Sequence, residues 1–91
     1  MIDLMVRGYS MRWTNKSLND MDRMRLMPYN VRDILDDNWE NRQLESKKKQ
    51  KYHIISSARK KWVKIRFRLY REEGDVLIIM LEEFTTIRRK R

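Results

Sequence analysis

The chain has 91 residues, enough for one domain with a core of modest size, so residues 1–91 are read as a single unit. It has no cysteine, which excludes disulfides and thiolate metal sites, and its 22 Lys and Arg against 13 Asp and Glu give a net charge of +9. The longest apolar run, Val76 to Leu81, is far short of a membrane span, and Asp3 interrupts the N-terminal run that a secretion signal would need. The expectation is a cytoplasmic protein with no membrane partner.

Met1 to Trp13 alternates weakly, with Ile2, Leu4 and Val6 in phase and Tyr9, Met11 and Trp13 following Gly8. That pattern predicts an edge strand or an extended arm, with residues 1–10 as an addition to the main fold. Thr14 is placed to cap a helix from Asn15 to Arg25, whose Leu18, Met21 and Met24 form one narrow stripe. Pro28 suits the first turn of a second helix, with Val31, Ile34 and Leu35 on its buried side. Six of the seven methionines precede position 28, which reads as adaptable packing of small helices on a sheet and not as a ligand site.

After Asn38 the period changes to two, and Trp39 to Leu44 predicts a strand. Lys47, Lys48, Lys49 and Lys51 make a basic turn, and Tyr52 to Ser56 predicts the next strand. The strongest signal is Ala58 to Leu81, a long hairpin. Val63, Ile65, Phe67 and Leu69 fall on one face of its first strand. Lys60, Trp62, Lys64, Arg66, Arg68 and Tyr70 fall on the other. Arg71 to Asp75 supplies the turn, with Gly74 suited to positive φ. Val76 to Leu81 is apolar throughout, which predicts burial on both faces at the centre of the sheet. Glu82 to Ile87 either continues this strand or breaks from it, and residues 88–91 close the chain as a basic tail that includes Arg88 and Arg89. The fold class expected is α+β, two short N-terminal helices packed on a three- to four-stranded antiparallel sheet.

The charge is unevenly placed. Residues 1–46 hold seven Lys and Arg and eight Asp and Glu, a balance of −1; residues 47–91 hold fifteen and five, a balance of +10. Basic residues concentrated on strands point to a polyanion, RNA or DNA first and an acidic protein surface second. Guanidinium groups bind phosphate through paired hydrogen bonds, and interleaved aromatics stack on bases. The predicted nucleic-acid contacts are therefore Lys60, Trp62, Lys64, Arg66, Arg68, Lys47, Lys48, Lys49, Arg88 and Arg89. The bland alternatives are that Trp62 and Tyr70 cover an edge or a helix and that Lys47 to Lys51 form a solvated turn. His53, the single histidine, is a candidate general acid or base, or a strand histidine satisfied by its neighbours. No metal-ligand cluster and no glycine-rich phosphate loop is legible, so neither metal nor cofactor is expected.

The order of elements resembles the RelE/BrnT-like and MqsR-like small ribonuclease toxins. Met11 to Leu35 is similar to their opening, and Lys61-Trp-Val-Lys-Ile-Arg-Phe-Arg-Leu-Tyr-Arg71 with Val76 to Phe84 to their closing strands. Ser17 stands where the group's helix histidine falls, and Arg25 where its arginine follows. The resemblance implies an endoribonuclease covered by an acidic antitoxin. It places transition-state charge stabilisation on Arg66 and Arg68, and proton transfer on His53, Tyr70 or Lys64. The missing helix histidine favours the other reading, a non-catalytic DNA- or RNA-binding regulator or a plasmid- or virus-encoded inhibitor.

Overall fold

The structure, a computed structural model, describes residues 8–58 and 60–88. Its elements run β1 (Tyr9–Trp13), α1 (Asn15–Arg23), α2 (Pro28–Asn38), a 3₁₀ turn (Trp39–Asn41), β2 (Gln43–Ser46), β3 (Lys51–Ala58), β4 (Lys61–Glu73) and β5 (Val76–Ile87). The five strands form one sheet in the order β1-β5-β4-β3-β2, with both helices on one face. All neighbours are antiparallel except β1, which runs parallel to β5 from Tyr9 opposite Leu77 to Trp13 opposite Leu81. This is the expected α+β architecture, two helices on a mostly antiparallel sheet, with four strands after the helices and the expected edge strand as the fifth. The N-terminal segment joins the sheet at its edge from Tyr9 onward, and residues 1–7 lie outside those described.

The period-two pattern of β4 works as physical chemistry requires. Val63, Ile65 and Phe67 are buried, and they meet Val31, Ile34 and Leu35 of α2 and Ile54 of β3 in one core. Phe67 stacks with both Trp39 and Tyr52, at 5.7 and 5.9 Å between ring centroids. Trp39 was expected on a strand. It instead occupies a 3₁₀ turn, which drops its ring into the core, and the guanidinium of Arg42 covers it from 4.5 Å. The strand that forms is Gln43–Ser46, so of the expected span only Gln43 and Leu44 lie in it.

The helix ends follow local chemistry. The Thr14 hydroxyl accepts from the Ser17 amide at 3.0 Å and caps α1. At its other end the Leu26 amide bonds the Met21 carbonyl and the Arg25 amide bonds the Asp22 carbonyl, with Arg25 at φ 57°. This is a Schellman closure, with arginine where glycine is the usual occupant. At the start of α2, Asn30 accepts from the Met27 amide at 2.8 Å, and Pro28 takes the first turn.

Two expectations of burial are corrected. Leu18 is 43% exposed, and the buried face of α1 is Ser17, Asp20 and Met21. The cause lies across the fold: β1 stops opposite Leu81, and the Asp20 carboxylate accepts the amide of Phe84 at 3.2 Å. Without a strand neighbour there, that buried amide needs an acceptor, so the helix turns a polar edge inward. The second correction concerns β5. Leu77, Ile78, Ile79 and Leu81 are buried, but Val76 is 40% exposed at the hairpin end. The strand continues past Leu81 to Ile87, and it lies second in the sheet, between β1 and β4.

Candidate nucleic-acid interface

The face of the sheet opposite the helices carries the predicted functional side chains, and three β-bulges arrange it. In β2, Leu44 pairs with Tyr52 and Ser46 with Lys51, which leaves Glu45 as the extra residue. In β5, Leu81 pairs with Phe67 and Glu83 with Arg66, leaving Glu82. In β4, Leu69 pairs with Ile79 and Arg71 with Ile78, leaving Tyr70. A bulge changes which way successive residues point, so it inserts side chains that strict alternation would not supply.

The first two bulges bring acids to the basic strand. Arg66 donates from Nε to Glu45 at 3.2 Å and from Nη1 to Glu83 at 3.1 Å, and its Nη2 lies 3.0 Å from Glu45. The Nδ1 atom of His53 lies 2.9 Å from Glu45 Oε2. Glu82 faces Arg68 at 3.6 Å and Lys51 at 3.7 Å. Together Glu45, Lys51, Tyr52, Arg66, Glu82 and Glu83 line a concavity of about 300 Å³. Partial burial alone would raise the carboxyl of Glu45, but hydrogen bonds and charge from Arg66 and His53 hold it below the usual carboxylate range. The same bonds to Glu45 and Glu83 raise Arg66 further above its ordinary value. Arg66 is thus bound by carboxylates already. Arg68 is held more loosely: its Nε is buried and has no hydrogen-bond partner among the described residues.

The third bulge builds a different surface. Tyr70 is 42% exposed, and the guanidinium carbons of Arg68 and Arg71 lie 5.1 and 5.3 Å from its ring centre. The β2–β3 turn docks against the same place, because the Leu69 amide donates to the Gln50 carbonyl at 3.1 Å. Gln50 takes φ 52° to make that contact. The result is a concavity of about 370 Å³ lined by Lys48, Lys49, Arg68, Tyr70, Arg71 and Glu72, with Arg71 paired to Glu73 at 2.5 Å. No ion pair among the described residues engages Lys47, Lys48 or Lys49.

The predicted contacts therefore fall into three groups. His53, Arg66 and Arg68 meet at the acid-lined centre, with Lys64 beside them between Ile55 and Thr85 in register. Lys48 and Lys49 join Arg68 and Tyr70 at one end of the sheet, and Lys47 lies in the same β2–β3 turn. Trp62, 39% exposed, lies at the other end between Ser57 and Ile87 in register. Lys60 is not on β4 as expected; it sits in the β3–β4 turn at φ 67°. Arg88 is exposed beyond β5, and Arg89 lies outside the described residues.

Sequence reasoning missed Glu45, Glu82 and Glu83 as partners of the site and Arg71 as a wall of it. Bulges are set by pairing across strands, so local alternation carries little signal of them. Among the described residues no group of three His, Cys, Asp or Glu side chains stands close enough to hold a metal ion, and no helix is long and apolar enough to cross a membrane. No family model matches the chain, and no curated protein or solved structure matches it either.

Proposed function

We propose that this is a nucleic-acid-binding protein that grips a single strand, RNA before DNA, at the Tyr70 end of the sheet. The carrying observation is that Lys48, Lys49, Arg68 and Arg71 surround one concavity with an exposed ring in it. Lysines without carboxylate partners neutralise phosphates without first breaking an internal pair. Tyr70 between two guanidiniums offers a base a stacking plane already flanked by cations. In this reading, the acid-paired centre orients the strand at its margin.

A second reading, the endoribonuclease, is favoured by the contact between Glu45 and His53. The carboxylate favours the Nδ1–H tautomer and leaves Nε2 with a lone pair. With RNA seated, His53 Nε2 takes the proton of a ribose 2′-OH as that oxygen bonds to phosphorus. The bond from phosphorus to the 5′ oxygen breaks, and the leaving oxygen takes a proton from an acid such as Lys64, which lies beside His53 and Arg66. Tyr70, by contrast, is four residues along β4 from Arg66, about 13 Å away. Arg68 and Arg66 would face the phosphorane charge. This version follows the resemblance to RelE/BrnT-like toxins and carries with it a cytoplasmic setting and an acidic antitoxin as protein partner.

Anisotropy of a labelled single-stranded RNA across a salt series tests binding. Each phosphate contact contributes about −0.7 to the slope of log affinity against log salt. Lys48→Gln/Lys49→Gln/Arg71→Gln should therefore flatten it by about 1.4 units from the two lysines and by less from Arg71, whose Nη2 lies 2.5 Å from Glu73. An unchanged slope and affinity would remove this surface from the reading. Turnover of the same RNA by the wild-type chain, lost in His53→Ala with binding kept, separates the enzyme from the regulator. No turnover by the wild type leaves the non-catalytic reading.

A further inference from the structure

A concavity of about 890 Å³ is on the helix side of the sheet and at the end away from Tyr70. Its apolar lining comes from Met24 and Leu26 after α1, Val63 of β4 and Phe84 of β5; Met24 is half-buried and the other three are buried. Its rim is cationic: Lys16 and Arg23 of α1, Arg25 of the helix closure and Lys61 at the start of β4. Two acids also line it, each engaged internally. Asp20 takes Lys16, Arg23 and the Phe84 amide, and Glu83 takes Arg66 and Lys16. Arg25 and Lys61 have no ion pair among the described residues. Arg25 also holds a backbone conformation that glycine adopts more easily, so only its side chain distinguishes it at that position.

A sheet edge opens onto the same groove. β1 ends opposite Leu81, whereas β5 runs on against β4 to Ile87. The Phe84 amide is met by Asp20, and Thr85 and Thr86 beyond it are exposed, with no strand among the described residues beside them on that side. An edge of this kind recognises peptide backbone.

We propose that this groove docks an extended, acidic segment of a partner protein, which inserts apolar side chains over Met24 and Leu26 and sets its carboxylates against Arg25 and Lys61. Three features favour a peptide over a nucleic acid. The carboxylates of Asp20 and Glu83 repel closely spaced phosphates, no exposed aromatic ring lines the groove to stack a base, and the β5 edge offers backbone groups. The proposal does not depend on the nucleic-acid reading.

The full chain is titrated against a fluorescein-labelled peptide of alternating leucine and glutamate, which as a strand places leucines on one face and carboxylates on the other. Controls are poly-glutamate and alternating leucine–lysine peptides of equal length. The Leu–Glu peptide should bind at least about ten-fold tighter than either control, since only it supplies both the apolar anchor and the charge. Lys61→Glu/Arg25→Glu should weaken it by about ten-fold or more. Arg25→Gly, which suits the left-handed turn and so keeps the fold, should weaken it in the same direction. Lys48→Gln/Lys49→Gln should leave it unchanged. Equal binding of poly-glutamate, no binding of the Leu–Glu peptide, or indifference to Arg25→Gly and Lys61→Glu would overturn the proposal. So would displacement of the peptide by single-stranded RNA from the Lys48→Gln/Lys49→Gln/Arg71→Gln variant, which would make the groove a nucleic-acid site.

Discussion

The centre of the open sheet face and its Tyr70 end carry cations of the same kind in different states. At the centre, Arg66 meets Glu45 and Glu83, and Glu82 lies between Lys51 and Arg68. At the end, Lys47, Lys48 and Lys49 have no ion pair among the described residues. Counting basic residues along β4 treats Arg66 and Lys48 alike, but a phosphate reaching Arg66 must displace a carboxylate. A phosphate reaching Lys48 displaces only water and counterions. Net charge marks a polyanion partner, and internal pairing decides which cations can meet it.

Substitutions on the two faces of β4 should differ most. Phe67→Ala removes a ring in full contact with Trp39 and Tyr52 and should cost about 3–5 kcal/mol in denaturant unfolding. Arg66→Gln, one residue earlier on the open face, should cost well under half of that, about 1 kcal/mol. Comparable losses would mean that the ion pairs of the open face carry the fold. Asp20→Ala comes next, because it strands the buried Phe84 amide and unpairs Arg23. A loss of about 1–3 kcal/mol is expected, while Leu18→Glu on the exposed side of α1 should stay within about 0.5 kcal/mol.

A binding comparison sharpens the contrast between centre and end. Lys48→Gln/Lys49→Gln should flatten the salt slope for single-stranded RNA by about 1.4 units, and Arg66→Gln by clearly less than about 0.7. If Arg66→Gln has the larger effect, the carboxylates yield to phosphate, and the centre is the binding site.

The smallest effect is expected with pH. The carboxyl of Glu45 is held below its ordinary range in the fold, so its contribution is full above the unfolded carboxylate pKa, about 4.3. It is lost as pH falls through the lower folded value. In Glu45→Gln the melting temperature should vary less with pH below about 4 than in the wild type. Parallel curves would show that the contact with Arg66 and His53 does not link folding to protons.

Much of this fold is legible residue by residue. The alternation from Val63 to Leu69 assigns the core face of β4, because one face of a strand must leave water and the other need not. Thr14 and Pro28 mark helix starts through the geometry of a side-chain oxygen and a fixed φ, both local properties. Gly74, at φ 62°, marks the hairpin turn for the same local reason. These signals sit within a few residues of what they determine.

The candidate site was decided elsewhere. His53, Arg66, Arg68 and Tyr70 stand out in the sequence as residue types, but whether an arginine meets a carboxylate depends on which residue lies across the sheet. Arg66 lies 21 positions from Glu45 and 17 from Glu83, and bulges at Glu45 and Glu82 set those contacts. The parallel pairing of β1 with β5, the inward Asp20 and the 3₁₀ turn at Trp39 have the same origin. Each satisfies a backbone group or fills a volume supplied by a distant part of the chain. The sequence by itself determined the elements and the buried face of the long hairpin, since these depend on local dihedral preference and period. Only the tertiary structure decided which charges are engaged and which are open to a partner, because pairing across a sheet is a long-range choice.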